Sequence, residues 1–151
     1  MLKLKVIKEP GSTFQYMSCN TVLLAMIISK TTGKTISDFA SIKLWIPIHA
    51  TLPAYWSLDH NEGIEKAYCC FYSSARDFAR IGKLVLDSGK WDGKQIVSKE
   101  FIQEMLTPNM IPDLFGAKTD YYGLHWWLMD FKGHRVVYAR GILGQYIAVV
   151  P

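Results

Sequence analysis

The first two thirds of the chain carry apolar residues at helical spacing. The first such stripe is formed by Leu23, Leu24, Ile27 and Ile28. Because these positions repeat with the period of an α-helix, they predict a helix that begins near Asn20. Gly33 follows the stripe, and glycine often ends a helix because it adopts left-handed backbone angles at low cost.

Two capping boxes predict the helices that follow. Thr35, a hydroxyl residue that can cap a helix, precedes the acidic Asp38 by three positions. Ser74 precedes Asp77 in the same way, and the apolar stripe that comes after it is the clearest in the chain. Gly82 falls inside this stripe, where a glycine costs about 1 kcal/mol relative to alanine. We therefore expect another backbone to approach Gly82 closely.

The pattern changes from helical to extended after Tyr121. Residues 122–129 are rich in aromatic side chains, and residues 130–134 have the composition of a turn. Residues 135–139 and 145–150 are rich in side chains that favour strands. Together they predict an antiparallel meander of three strands.

These elements predict an α/β protein of the α+β type, with helices packed against an antiparallel sheet. We expect one domain over residues 1–151, mostly helical over 1–110 and formed by antiparallel strands over 121–151. A sheet of only three strands leaves an open edge that a whole domain normally covers. We therefore expect this domain to be incomplete at both ends.

Composition and charge narrow the classes of function. The chain has 151 residues, of which half are apolar, and this is enough for one hydrophobic core. The net charge of +4 is spread along the sequence, so we expect no nucleic-acid interface, which would need a basic stripe. The longest apolar runs are too short to cross a bilayer, and the residues after Met1 lack the apolar core of a signal peptide.

The cysteines and histidines predict neither a disulfide framework nor a metal site. Cys69 and Cys70 are adjacent, which is poor geometry for a mutual bridge, and Cys19 leaves the total odd. We expect all three to be small core residues. The histidines lack the spacing of zinc ligands, so no metal and no other cofactor is expected.

The segment before the first helix carries the candidate chemistry. A Pro-Gly turn at residues 10–11 leads into a short extended stretch that ends at Tyr16, and Ser18 stands two positions later at the mouth of the helix. This arrangement resembles the second catalytic motif, Tyr-x-Asn/Ser, of the serine β-lactamase and penicillin-binding-protein superfamily, in its class C-like esterase branch.

Further blocks resemble the same family in the same order along the chain. They are residues 32–34 with 44–47, residues 56–59, residues 65–71, residues 74–82 and residues 140–146. The block at 74–82 is similar to the "S/TARDFARFG" helix of that family. The resemblance implies part of a serine β-lactamase-like fold, also known as the DD-peptidase fold.

The resemblance also implies roles for residues around the first helix. In the family, the motif tyrosine helps to relay the proton of the nucleophilic serine to the leaving group, and Tyr16 matches that position. Ser18 stands where many relatives have an asparagine that touches substrate, and Asn20 is a second candidate for substrate contact. The alternative is that Ser18 or Asn20 caps the helix.

The third motif of the family, Lys-Thr-Gly or His-x-Gly, corresponds here to residues 139–141, so the usual first-position cation is missing. Arg140 stands one residue later, where it either binds a substrate carboxylate or points outward as a surface charge. Gly141 completes the triplet. The resemblance implies that the backbone N–H of Ile142 donates to the oxyanion of the reacting carbonyl.

The first motif of the family, Ser-x-x-Lys, is absent from the sequence. We therefore expect the chain to be the later part of a serine hydrolase that cleaves a small-molecule or peptide amide or ester through an acyl-enzyme, and to be inactive alone. Two alternatives stay open. A non-catalytic relative could bind peptides or peptidoglycan, and a small carbohydrate-binding module would explain the aromatic residues near Trp127.

Overall fold

The computed structural model describes residues 5–151. Its helices are α1 (Ser18–Thr32), α2 (Ile36–Ala40), α3 (Ala75–Leu86) and α4 (Lys99–Met105). Its strands are β1 (Tyr55–Trp56), β2 (Phe71–Tyr72), β3 (Lys90–Trp91), β4 (Lys94–Gln95), β5 (Trp127–Phe131), β6 (His134–Arg140) and β7 (Tyr146–Val149). No helix of this described part is both long and apolar enough to cross a membrane.

Helix α1 begins at Ser18 and ends before Gly33, close to the predicted bounds. The capping residue is Met17, and no side chain caps the helix, so the alternative role of Ser18 or Asn20 as a cap is wrong. Gly33 adopts a left-handed conformation with φ 68°, and its N–H donates to the carbonyl of Ser29 at 2.9 Å.

The apolar residues of α1 are less buried than their pattern suggests. Of its side chains only Ala25 is buried, whereas Leu23, Leu24 and Ile27 are each nearly half exposed. The reason is that α1 is apolar on all sides, and a helix of this kind needs protein on more than one face. In the described residues its main helical neighbour is α2.

Both predicted caps are confirmed, although the reciprocal bond of a full capping box, from the N–H of the cap residue to the acidic side chain, is not observed among residues 5–151. The hydroxyl of Thr35 accepts from the Asp38 N–H at 3.0 Å and opens α2, which runs on into a π-helical turn at Ser41–Trp45. The hydroxyl of Ser74 accepts from the Asp77 N–H at 3.1 Å and opens α3.

The antiparallel meander is also confirmed, with β6 between β5 and β7. The register places Leu128 opposite Val137 and Val137 opposite Val149. These three side chains are buried on the same face of the sheet, where they pack with Trp126 and with Val85 of α3. This inner face of the sheet forms the larger of the two hydrophobic clusters found among residues 5–151.

Gly82 is a point of close contact between α3 and the sheet. A Cβ atom added there would lie 3.0 Å from a methyl carbon of Ile147 and 3.5 Å from one of Val149. The expectation of a close neighbour at Gly82 is therefore confirmed. The expectation that the neighbour is another backbone is wrong, because the atoms near Gly82 belong to side chains of β7.

Asp77 connects the start of α3 to the loop before β1. Its carboxylate is fully buried and accepts from the N–H groups of Thr51 at 2.8 Å and Leu52 at 3.1 Å. The Ser74 hydroxyl donates to it at 2.7 Å, and Arg80 forms an ion pair with it at 3.3 Å. The backbone hydrogen bond from Thr51 is the largest cause that lowers the pKa of Asp77 from 3.8 to about 2, against the opposing effect of burial.

The prediction for the cysteines is wrong. Cys69 and Cys70 form a disulfide, although their Cα atoms are only 3.8 Å apart. Adjacent cysteines in extended backbone point their side chains to opposite sides, but Cys70 adopts a positive φ of 62°, which changes the direction of its side chain. Cys19 is free and exposed.

The approach of α3 to β7 leads to a prediction for Gly82→Leu. The larger side chain would overlap the methyl groups of Ile147 and Val149, so we expect the free energy of unfolding to fall by about 1–3 kcal/mol. Chemical denaturation measures this change. The control is Ala79→Leu, at an exposed position of α3, where about 0.5 kcal/mol or less is expected. Equal losses in both variants would contradict the close packing.

The lowered pKa leads to a prediction for Asp77→Asn. The folded state binds this proton less readily than the unfolded state, so the carboxylate stabilises the fold above pH 4, and this contribution is lost as the pH falls towards 2. We expect the Tm of the variant to lie about 5 °C or more below that of the wild type at pH 7. This gap in Tm should become smaller as the pH falls from 4 to 2. Asp130→Asn, at an exposed ion pair, should show no such gap. A gap that does not change with pH would show that Asp77 does not act through its charge.

Candidate active site

Tyr16 lies outside any helix or strand, next to Met17, the capping residue of α1, and at the end of the lead-in that starts with the turn at residues 10–11. The lead-in is held in place by the Phe14 N–H, which donates to the carbonyl of Pro112 at 2.8 Å. The Tyr16 side chain is 55% exposed. Within residues 5–151 its hydroxyl has no hydrogen-bond partner, so it is free to bond a ligand.

Tyr16 belongs to an aromatic wall. We use this name for the side chains of Phe14, Tyr16, Tyr121, Tyr122 and Trp127. The ring of Tyr16 lies 5.6 Å from that of Trp127 and 6.0 Å from that of Tyr122, centroid to centroid. The ring of Tyr121 is stacked with that of Trp127, at 6.3 Å between centroids. The wall therefore positions Tyr16 by ring packing rather than by hydrogen bonds.

The two tyrosines at the centre of the wall differ in accessibility. Tyr122 is buried, and burial together with the nearby Tyr16 raises the pKa of Tyr122 to about 12. Tyr122 therefore stays a neutral phenol and packs as a structural residue. Of this pair, Tyr16 is the tyrosine that is exposed at the surface.

Arg140 lies on the same face of the sheet as the aromatic wall. Trp127 of β5 is paired with Tyr138 of β6, and directly opposite residues share a face. Arg140 is two positions beyond Tyr138 and so lies on that face too. This outer face is opposite to the one that packs on α3. Tyr16 and Arg140, more than a hundred residues apart in sequence, thus flank one surface of the meander.

Arg140 closes one end of a groove on this outer face. The groove has a volume of about 270 Å³ and is lined by Met129, Val136, Tyr138, Arg140, Tyr146 and Ala148. Arg140 is the one charged residue among them. It is exposed, and no carboxylate of the described residues lies within ion-pair distance of it. An unpaired guanidinium beside apolar side chains suits a ligand with a carboxylate and an aliphatic part.

Gly141 and Ile142 lie in the turn between β6 and β7 and not in a strand. The Gly141 N–H donates to the carbonyl of Gln145 at 2.8 Å, and the Gly144 N–H donates to that of Gly141 at 3.2 Å. The Ile142 side chain is almost wholly exposed. Its N–H has no backbone acceptor in the described part of the chain, so this donor is available.

Ser18 and Asn20 lie in the first turn of α1, directly after Tyr16, and both are exposed. The Asn20 side chain accepts one weak contact, from the Cys19 thiol at 3.9 Å, and the Asn20 N–H donates to the carbonyl of Met17 at 3.1 Å. Among residues 5–151 there is no group of three or more His, Cys, Asp and Glu side chains that could hold a metal ion.

The sequence did not predict Phe14 as a member of the wall, or the groove itself. The groove could have been found from the alternation of β6, since Val136, Tyr138 and Arg140 occupy every second position. The contact of Phe14 with Tyr122, at 5.1 Å between ring centroids, depends on tertiary packing and has no local signal.

Comparison with solved structures gives the same fold. The protein described as "Putative 6-aminohexanoate-dimer hydrolase from Bacillus anthracis" matches with a TM-score of 0.83 and 31% identity over 97% of this chain and 38% of its own. An octameric penicillin-binding protein homologue from Pyrococcus abyssi matches with a TM-score of 0.73 and 23% identity, over 96% of this chain and 37% of its own. The second match supports the fold alone.

Comparison of sequences identifies the family. The 6-aminohexanoate-dimer hydrolase of Paenarthrobacter ureafaciens is 33% identical over 105 residues, which are 68% of this chain and 26% of that protein. The chain thus spans about a quarter of the length of this relative. The family model described as Beta-lactamase matches residues 1–151. The resemblance to this family and the fold class of helices with an antiparallel sheet are thereby confirmed, and the chain belongs to the Beta-lactamase family.

Proposed function

We propose that this chain supplies the second and third motifs of a serine hydrolase that cleaves a small amide or ester through an acyl-enzyme. The observation that carries the proposal is the position of Tyr16, an accessible phenol packed on Trp127, on the sheet face that also holds Arg140. The nucleophilic serine and its lysine belong to a motif that this sequence does not contain.

In the proposed reaction Tyr16 moves the proton. A serine hydroxyl is a weak nucleophile and has to lose its proton as its oxygen bonds to the substrate carbonyl carbon. The lysine of the first motif would supply the positive charge that stabilises the phenolate form of Tyr16, which accepts that proton. Tyr16 then donates the proton to the leaving nitrogen or oxygen, so that the bond to the leaving group breaks and an acyl-enzyme forms. In the second step water attacks the carbonyl carbon of the acyl-enzyme ester. Tyr16 takes a proton from this water and returns a proton to the serine oxygen, so that the acid product is released. Ser18 and Asn20, which are exposed in the first turn of α1, are the residues we propose to hydrogen-bond the substrate.

The turn after β6 stabilises the charge that develops on the carbonyl oxygen. Ile142 has an amide N–H without a partner among residues 5–151, and Gly141 before it is held by its bond to Gln145. A donor that is fixed in this way before the reaction needs no reorganisation at the transition state. The second donor would be the amide of the nucleophilic serine.

Arg140 and the groove bear on the class of substrate. Arg140 would bind a carboxylate of the substrate. The side chains that line the groove, among them the rings of Tyr138 and Tyr146 at 6.2 Å between centroids, would hold an aliphatic chain. The names of the Paenarthrobacter and Bacillus relatives specify a 6-aminohexanoate dimer, a linear amide with these two features. We therefore propose linear amides with an aliphatic chain and a free carboxylate as substrates.

The role of Tyr16 can be tested in a chimaera in which residues 5–151 replace the matching region of the Bacillus relative. The 151-residue chain alone should not hydrolyse p-nitrophenyl esters, nitrocefin or 6-aminohexanoate dimer above the rate in buffer, whereas the chimaera should. Tyr16→Phe should lower kcat of the chimaera by about a hundredfold or more, because acid–base groups contribute at least this much.

The control for Tyr16→Phe is Tyr55→Phe, at an exposed tyrosine of β1 outside the candidate site, which should keep kcat within about twofold. Rapid turnover by the short chain alone, or equal losses in the two chimaera variants, would contradict the role of Tyr16.

Arg140→Ala in the same chimaera tests the substrate class. Loss of a charged hydrogen bond should raise KM for the carboxylate-bearing dimer by about tenfold or more, with little change for a neutral p-nitrophenyl ester. Arg135→Ala is the matched control, since Arg135 is on the same strand but paired with Asp130 at 3.1 Å. If both substrates are affected equally, Arg140 does not act through the carboxylate.

A further inference from the structure

The disulfide between Cys69 and Cys70 lies in a part of the molecule that the proposed reaction does not use. Strands β1 and β2 form a hairpin in which Trp56 pairs with Phe71, and residues 57–70 form the loop between them. We propose that Cys69 and Cys70 are a reversible two-electron redox site, opened by a dithiol reductant, and that the oxidised pair keeps this hairpin closed.

The backbone of the two cysteines closes the base of the loop. The carbonyl of Cys69 accepts from the indole N–H of Trp56 at 2.9 Å, and the carbonyl of Cys70 accepts from the Ser57 N–H at 3.0 Å. The N–H of Cys69 donates to the carbonyl of Lys66 at 2.9 Å. These bonds join both ends of the loop, and each depends on the direction of the peptide groups next to the disulfide.

Cys70 has a backbone conformation that the disulfide constrains. Its φ of 62° is in the left-handed region, which residues with a Cβ atom seldom adopt because of steric conflict with the backbone. The covalent bond to Cys69 limits the freedom of Cys70 to leave this region. When the bond opens, Cys70 can return to extended backbone, and its carbonyl then turns away from the N–H of Ser57.

Phe71, the residue after Cys70, connects the hairpin to the rest of the fold through its ring contacts. Its ring packs on Trp56 at 4.8 Å, on Trp45 at 5.5 Å and on Phe78 of α3 at 5.8 Å, centroid to centroid. A rotation of the backbone at Cys70 therefore shifts the contacts between the hairpin and two helical segments. Both cysteines are partly exposed, so a reductant can reach the sulfur atoms.

The chemical step is thiol–disulfide exchange. A thiolate of the reductant attacks one sulfur, the Sγ–Sγ bond breaks, and a mixed disulfide forms while the other cysteine leaves as a thiolate. The second thiol of the reductant then displaces the remaining cysteine. Two electrons and two protons pass to the protein, which gains two thiols, and the dithiol becomes a cyclic disulfide.

The test uses dithiothreitol as the reductant and the 151-residue chain. Alkylation in denaturant, followed by intact mass, should count one thiol (Cys19) in the air-oxidised chain and three after reduction. Trypsin cleavage after Lys66, the one lysine or arginine of the loop, should become at least about tenfold faster in the reduced folded chain, because proteolysis follows the population of open loop. Reoxidation with glutathione disulfide should restore both values.

Two variants serve as controls. Cys19→Ser keeps the redox pair and should respond to reductant like the wild type. The double variant Cys69→Ser, Cys70→Ser should be cleaved at the fast rate with and without reductant. Three thiols in the oxidised chain, or equal cleavage of oxidised and reduced wild type, would overturn the proposal. If the double variant does not fold, the comparison of the two wild-type states decides the question alone.

Discussion

The buried carboxylate of Asp77 is the interaction on which the arrangement of this chain depends. It accepts hydrogen bonds from Thr51, Leu52 and Ser74, so that one side chain fixes the loop before the β1–β2 hairpin and the start of α3. Arg80, one turn later, pairs with it and also donates to the carbonyl of Ile48 at 3.2 Å. A buried charge is tolerated only when it is bonded in this way, which makes the geometry of these segments specific.

Helix α3 carries that constraint to the candidate site. One side of it, with Val85, packs on the inner face of the sheet, and another side, with Leu84, packs on Ile48 and Trp91. The contact of Gly82 with β7 brings α3 close to the sheet and so sets its position. The sheet in turn presents its outer face, where the aromatic wall and Arg140 lie. The catalytic candidates are therefore positioned by packing that occurs on the opposite side of the meander.

The sequence predicted the features that depend on local chemistry. The caps at Thr35 and Ser74 and the stop at Gly33 need only neighbouring residues to form, and all three are observed. The features that were missed depend on contacts distant in sequence or on a single backbone angle. The disulfide requires the unusual φ of Cys70. The neighbours of Gly82 come from a strand some sixty-five residues later, and no periodicity in α3 identifies them.

The central claim, that Tyr16, Arg140 and Ile142 serve one ligand, is tested most directly by NMR titration of the isotopically labelled chain with 6-aminohexanoate. This probe has the carboxylate and the aliphatic chain that the groove would bind. The account predicts shift changes at the Ile142 amide, the Arg140 guanidinium and the Trp127 indole that follow one binding curve. Changes at one of these segments alone, or changes confined to the β1–β2 hairpin, would contradict it.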